Sequence, residues 1–209
     1  MSRLVALALV TLSAFAGDSI EAFGLNWRVP VAADWRAGTL DGFPVLELLV
    51  PRPSTQPRRP SQYALAETPD YRQLTLELEV KKEPLGARNR RTSLLIVYAW
   101  RGPDHFNYAH LSVDSARQQP VHNGIFHVYG GDRARISSEE GPPALKDETW
   151  HNVKLVYDGT TGRVDVWVNG ITSPSLRAVD MSLGTGKFGI GSFFDLGSFR
   201  KVKVSGVTR

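Results

Sequence analysis

Residues 150–170 read WHNVKLVYDGTTGRVDVWVNG, and residues 178–204 read AVDMSLGTGKFGIGSFFDLGSFRKVKV. The first stretch holds two apolar runs that alternate with polar residues, over 153–157 and 164–168. A period of two puts successive side chains on opposite faces, so each run is a strand with one face against a core. Between them lies Asp158-Gly159-Thr160-Thr161-Gly162. Gly and Asp tolerate the positive φ that a tight turn demands, and the pair is therefore a hairpin. Short strands at close, turn-punctuated spacing follow, the signature of an antiparallel sandwich.

Working outward, the same alternation governs the rest of the chain. Leu74, Leu76, Leu78 and Val80 face one way, while Thr75, Glu77 and Glu79 face the other. Residues 94–100 are apolar on both faces, which predicts a central strand whose outer face is also covered. Asn107, Ala109, Leu111 and Val113 alternate with Phe106, Tyr108, His110 and Ser112. Further strands are predicted at 43–50, 125–129, 188–193 and 199–204, with breaks at 51–60, 83–91 and 139–143. No segment sustains helical periodicity. Strands joined by turns, without crossover helices, predict an all-β chain of two packed antiparallel sheets, a β-sandwich of jelly-roll type. Gly184-Thr185-Gly186-Lys187-Phe188-Gly189 matches G-x-G-x-x-G, but a strand and not a helix follows it. These glycines are read as allowing turns and close strand approach, not as a dinucleotide fingerprint.

The first residues, MSRLVALALVTLSAFA, combine Arg3, an apolar run and an Ala-x-Ala end. They read as a signal peptide over 1–16, leaving one sandwich domain over 17–209. The run is too short for a membrane span. The product is expected to be secreted or periplasmic, without a membrane span, and monomeric. The chain has no cysteine, so disulfides, Cys-ligated zinc and thiol catalysis are excluded. The formal charge is +4, with arginines concentrated in PRPSTQPRRP (51–60) and GARNRRTS (86–93). Solvated loops are the plainer reading of those runs, and attraction to an acidic polysaccharide is the sharper one. Nucleic acid is not expected as a partner, because no helical recognition element accompanies the charge.

Among side chains able to do chemistry, His105, His110, His122, His127 and His151 form no helical zinc motif. Tyr108 and His110 share one strand face, and His127 shares another with Tyr129. Trp167 lies beside Asp165 and Asn169 on the face opposite Val164, Val166 and Val168. An aromatic flanked by hydrogen-bonding groups suits a sugar, which presents apolar CH patches and hydroxyls together. Tyr98 and Trp100 are two residues apart and are expected to share a face. A four-residue loop over 102–105 would pair Arg101 with Phe106 and put Trp100 on the core side, and a one-residue slip reverses this. Asp195 is the only contributor to a structural calcium site that can be named, where calcium wants about 6–8 oxygens; turn stabilisation is its expected role.

The word order Trp-His, strand, turn, Val-Trp-Val-Asn-Gly and then Gly-Ser-Phe resembles the C-terminal half of concanavalin A-like, laminin-G-like jelly rolls. HFNYAHLS (105–112), followed by His122-Asn123-Gly124-Ile125 and Arg133, resembles exported bacterial domains of that superfamily related to 3-keto-disaccharide hydrolase-like proteins. The resemblance covers 94–204 and implies a β-sandwich with a glycan-related function. Retaining glycosidases on such folds carry acidic residues along one strand, as Glu77 and Glu79 do here. Their third acidic position is Lys81 in this chain, a departure that argues against this chemistry. The resulting expectation is a carbohydrate-binding module using Tyr108, His110, His127, Arg133 and Trp167, with Arg133 anchoring an anionic group. The alternatives are a glycoside hydrolase or lyase, with His110 or His122 as general base or metal ligand, and a structural or adhesion domain.

Overall fold

The computed structural model describes residues 17–83, 92–138, 141–170 and 172–209. The signal peptide expected over 1–16, and the arginines between 84 and 91, lie outside the described residues. In chain order the strands are β1 (Asp18–Ala22), β2 (Leu25–Val29), β3 (Trp35–Leu40), β4 (Phe43–Leu48), β5 (Gln62–Ala66), β6 (Tyr71–Lys82), β7 (Ser93–Gly102), β8 (His105–Ser112), β9 (Gly124–Tyr129), β10 (Ala134–Arg135), β11 (His151–Asp158), β12 (Arg163–Val168), β13 (Leu176–Val179), β14 (Lys187–Ser192) and β15 (Gly197–Thr208). One sheet has eight strands in the order β1-β2-β5-β14-β7-β8-β9-β10, and the other seven in the order β13-β12-β11-β6-β15-β4-β3. Neighbouring strands run antiparallel throughout. No helix among the described residues is long and apolar enough to cross a membrane.

The shared core is the meeting of the two inner faces. Leu74, Leu76, Leu78, Val80, Val153, Leu155 and Tyr157 from the seven-stranded sheet pack with Leu94, Ile96, Tyr98, Ala109, Leu111 and Phe188 from the eight-stranded one. Tyr98 and Tyr157 meet across the layers with ring centroids 4.9 Å apart. The 150–170 hairpin forms as its alternation requires: Val153 pairs with Val168 and Asp158 with Arg163, and Gly162 closes the turn at φ +71°. The glycines of the G-x-G-x-x-G match serve close packing, since a Cβ on Gly189 would lie 2.7 Å from the Ala64 carbonyl oxygen of the adjacent strand.

The eight-stranded sheet carries a second apolar layer on its outer face. Tyr63, Leu65, Leu95, Val97, Phe106, Tyr108, Phe126 and Val128 are all buried there together with Phe193, which accounts for the doubly apolar run at 94–100. One expectation is corrected. Gly102 pairs with His105, so the connection is a two-residue turn, and β7 bulges between Tyr98 and Gly102 with Ala99 at φ +49°. An extra residue in a bulge re-aims the side chains beyond it. Tyr98 therefore enters the shared core, while Trp100 packs on the outer layer and donates its Nε1–H to the Tyr63 hydroxyl at 2.9 Å.

Candidate functional site

The outer face of the seven-stranded sheet is an open groove of about 900 Å³. Register builds its floor: Trp167 pairs with Lys154, Lys154 with Glu77, and Glu77 with Lys203, giving one row across β12, β11, β6 and β15. At about 4.8 Å between strands, this row spans about 14 Å. Phe43, Asn152, Val156 and Lys201 complete the walls. Lys154 Nζ and Glu77 Oε1 form an exposed ion pair at 3.0 Å.

Beside that row, a bulge in β15 between Arg200 and Lys203, with Lys201 at φ +53°, turns two successive cations onto one carboxylate. Arg200 Nε donates to Glu79 Oε2 at 2.6 Å, and Lys201 Nζ donates to Oε1 at 2.8 Å. The Arg200 guanidinium lies 4.0 Å from the Trp150 ring centroid, and Lys201 Nζ lies 4.4 Å from that of Phe43. Burial disfavours ionised Glu79, but the hydrogen bonds and charges of Lys201 and Arg200 outweigh it and lower the pKa. The polar neighbours of Trp167 on its own strand are both engaged within the protein. Asp165 is buried between Arg163, at 2.8 Å, and Arg177. Asn169 Oδ1 accepts from the Asn152 amide at 3.0 Å.

Tyr108, His110, His122 and Arg133 come together on the opposite side of the molecule, on the outer layer of the eight-stranded sheet. Tyr108 is 0 % exposed and His110 2 %, so neither offers surface to a ligand. Tyr108 stacks on Phe126 with centroids 5.3 Å apart, and its hydroxyl accepts from Arg133 Nη1 at 3.0 Å. His110 Nδ1–H donates to the Val121 carbonyl at 2.8 Å, which leaves Nε2 unprotonated, buried and without a partner among the described residues. Burial first, and the charge of Arg133 next, hold the His110 pKa well below 6.5. His122 Nδ1 lies 3.0 Å from both Asp114 Oδ2 and Ser112 Oγ, and its ring is 5.3 Å from that of His110.

His127 projects from the other face of β9, at an edge of the sandwich. Its Nδ1 lies 2.9 Å from Asp180 Oδ2 and 2.9 Å from Asn107 Oδ1, and Asn107 Nδ2 donates to the same Asp180 oxygen at 2.8 Å. Burial opposes ionisation of Asp180, but hydrogen bonds from Asn107 and Ser182 and the His127 charge lower its pKa. Tyr129 stacks 5.4 Å from His127 and meets His105 edge-on at 4.4 Å; His105 Nδ1 is 2.8 Å from Asp104 Oδ1. Sequence reading missed Asp180, because nothing local marks a loop residue that reaches a strand more than fifty positions upstream. The predicted site residues thus divide among three places: Trp167 in the groove, His127 at the edge, and on the outer layer of the eight-stranded sheet buried Tyr108 and His110 with half-buried His122 and Arg133. Asp195 Oδ2 accepts from the Ser93 amide and hydroxyl, each at 3.0 Å, a tie between β7 and the chain after β14. Among the described residues no group of three or more His, Cys, Asp or Glu side chains is arranged to hold a metal ion.

No family model matches the chain, and no curated protein matches it. Solved structures do. The carbohydrate binding module CBM66 from Bacillus subtilis superposes with a TM-score of 0.59 at 12 % identity, over 82 % of this chain and 95 % of that one. The winged bean acidic lectin complexed with methyl-α-D-galactose gives 0.50 at 11 % identity, over 87 % and 93 %. At such identities the likeness is one of fold, and it agrees with the strand order of a two-sheet, antiparallel jelly-roll sandwich.

Proposed function

We propose that the protein is an exported, monomeric, non-catalytic glycan-binding module, and that the glycan lies in the groove of the seven-stranded sheet with Trp167 as its stacking platform. The observation that carries this reading is the row Trp167–Lys154–Glu77–Lys203 on the floor of an open groove. An aromatic ring can cover the apolar face of a pyranose while ammonium and carboxylate groups meet its hydroxyls. The length of the row suits several consecutive sugars and not one. The two similar structures, a carbohydrate binding module and a sugar-complexed lectin, agree with this class of ligand. Glu79 is unsuited to the general-acid role in two-carboxylate hydrolysis here. Its cation clamp lowers its pKa, whereas a general acid needs a raised one.

The test is binding of soluble polysaccharides by affinity electrophoresis, with Trp167→Ala beside the parent. Retardation by at least one glycan, lost in the variant, is the expected result. No retardation by any glycan would point to the structural or adhesion reading instead.

A second reading, a hydrolase or lyase with a histidine-centred site, draws support from the edge cluster. Asp180 and Asn107 both engage Nδ1 of His127, which orients the ring and leaves Nε2 as the nitrogen turned away from these two partners. His110 and His122, the other candidates, lie beneath Phe193 and beside buried Asp114. Release of reducing or unsaturated ends that disappears in His127→Ala would favour that reading.

A further inference from the structure

We propose that the outer side of the eight-stranded sheet carries a second, independent site, in which Arg58, Arg59 and Arg133 receive the carboxylate or sulfate of an acidic glycan. Two loops distant in sequence are stapled there by one backbone–backbone bond and one bond to a side-chain carboxylate. The Arg58 amide donates to Asp132 Oδ1 at 2.6 Å, and the Arg133 amide donates to the Arg58 carbonyl at 3.0 Å. Arg58 and Arg133 therefore emerge side by side. The Arg133 guanidinium is held between two rings, 4.4 Å from the centroid of Phe193 and 4.9 Å from that of Phe126. This clamp fixes the plane of the cation without using its donors.

A guanidinium carries several N–H donors in a fixed fork. Among the described residues, Arg133 gives one to the Tyr108 hydroxyl and forms no ion pair. Arg58 and Arg59 likewise form no ion pair there, and Arg59 Nη1 is buried without a hydrogen-bond partner. Adjacent Arg135 shows the contrast: it directs its fork at the carbonyl oxygens of Pro120, His122, Asn123 and Ser138 and has a structural role. The nearby carboxylates are already engaged. Asp132 Oδ1 accepts from the Arg58 amide, and Asp104, which feels the charge of Arg59, is bonded to His105. Buried or half-buried cationic donors left unmet are costly, and a planar oxyanion meets them bidentately. An isolated patch of this size fits one or two oxyanions of a glycan; nucleic-acid binding typically neutralises about 6–10 phosphates along a track.

Titration calorimetry on the full chain tests this with three probes: an oligogalacturonate, a heparin-derived oligosaccharide and a neutral cello-oligosaccharide. At least one anionic probe is expected to bind, with affinity that falls as salt rises. Whichever anionic probe binds identifies carboxylate or sulfate as the preferred group. Arg58→Ala and Arg133→Ala should each weaken that binding roughly ten- to hundredfold, as for hydrogen bonds to charged groups. Arg133→Lys should not restore it, because the fork is lost. Trp167→Ala should leave it unchanged, so this site and the groove fail or stand separately. Because Arg133 is also packed between rings, the exposed Arg58 variant guards against a folding artefact. Unchanged anion binding in Arg58→Ala, binding of no anionic probe, or displacement of the glycan by equal concentrations of duplex DNA would each overturn the proposal.

Discussion

Leu95, Val97, Phe106, Tyr108 and Phe126 occupy on one sheet the positions that Glu77, Glu79, Lys154 and Trp167 occupy on the other, since both sets point away from the shared core. The first set is buried under Phe193, Arg133 and neighbouring loop residues. The second floors an open groove. A sandwich needs only its inner faces to be apolar, so an apolar outer face signals a cover, and a polar outer face bearing a few exposed aromatics signals a surface kept free for a ligand. Covering fixes the chemistry as well. Behind Phe193, Tyr108 and His110 are closed off from solvent, whereas Trp167 remains partly exposed at the end of its row.

Removing one ring from each face is the sharpest way to break this comparison. Phe126→Ala should cost about 3–5 kcal/mol of unfolding free energy, as for a large aromatic deleted from a core. Urea denaturation reads this directly, and a loss below about 1 kcal/mol would mean that the outer layer is not a second core. Two neighbouring glutamates sharpen the contrast within the groove. Glu79→Ala takes from buried Arg200 its closest carboxylate and should cost about 1.5–3 kcal/mol. Glu77→Ala removes only an exposed pair and should cost less than about 1 kcal/mol. Equal costs would show that burial does not separate the two.

A pH titration, read against a variant of one buried histidine, probes the covered face. The folded pKa of His110 is depressed below the ordinary 6.5, so as pH falls through 6.5 the unfolded chain takes up a proton that the folded chain does not. Stability should therefore fall with decreasing pH from that point downward, and this group should add no slope above it. His110→Phe, measured by thermal unfolding at pH 7.5, 6.5 and 5.5, should flatten the slope between the lower two values; an unchanged slope would assign it to other groups.

Much of the architecture was legible because alternation is local. The 150–170 hairpin, the inward leucines of β6 and the outward direction of Trp167 all follow from period-two patterning. The bulges were not legible. Ala99 and Lys201 adopt positive φ without being Gly or Asn, so nothing in their identity announces the kink. The first bulge decided the faces of Tyr98 and Trp100, and the second built the Glu79 clamp. Phe23 and Gly24, at φ +58° and +72°, make a tight β1–β2 turn that a lone Phe-Gly pair does not advertise. The site was legible one residue at a time and not as a set. Lys203 and Glu77 lie opposite each other through a non-local register, and the cover over His110 comes from chain more than seventy residues away, at Phe193.

The central claim is that the open face binds glycan through Trp167 while contributing little to stability. Its most direct test measures Trp167→Ala twice, by urea denaturation and by calorimetric titration with the best-binding neutral oligosaccharide. The account predicts unfolding within about 0.5 kcal/mol of the parent and at least a tenfold loss of affinity. Unchanged affinity, or a stability loss as large as that of Phe126→Ala, would contradict it.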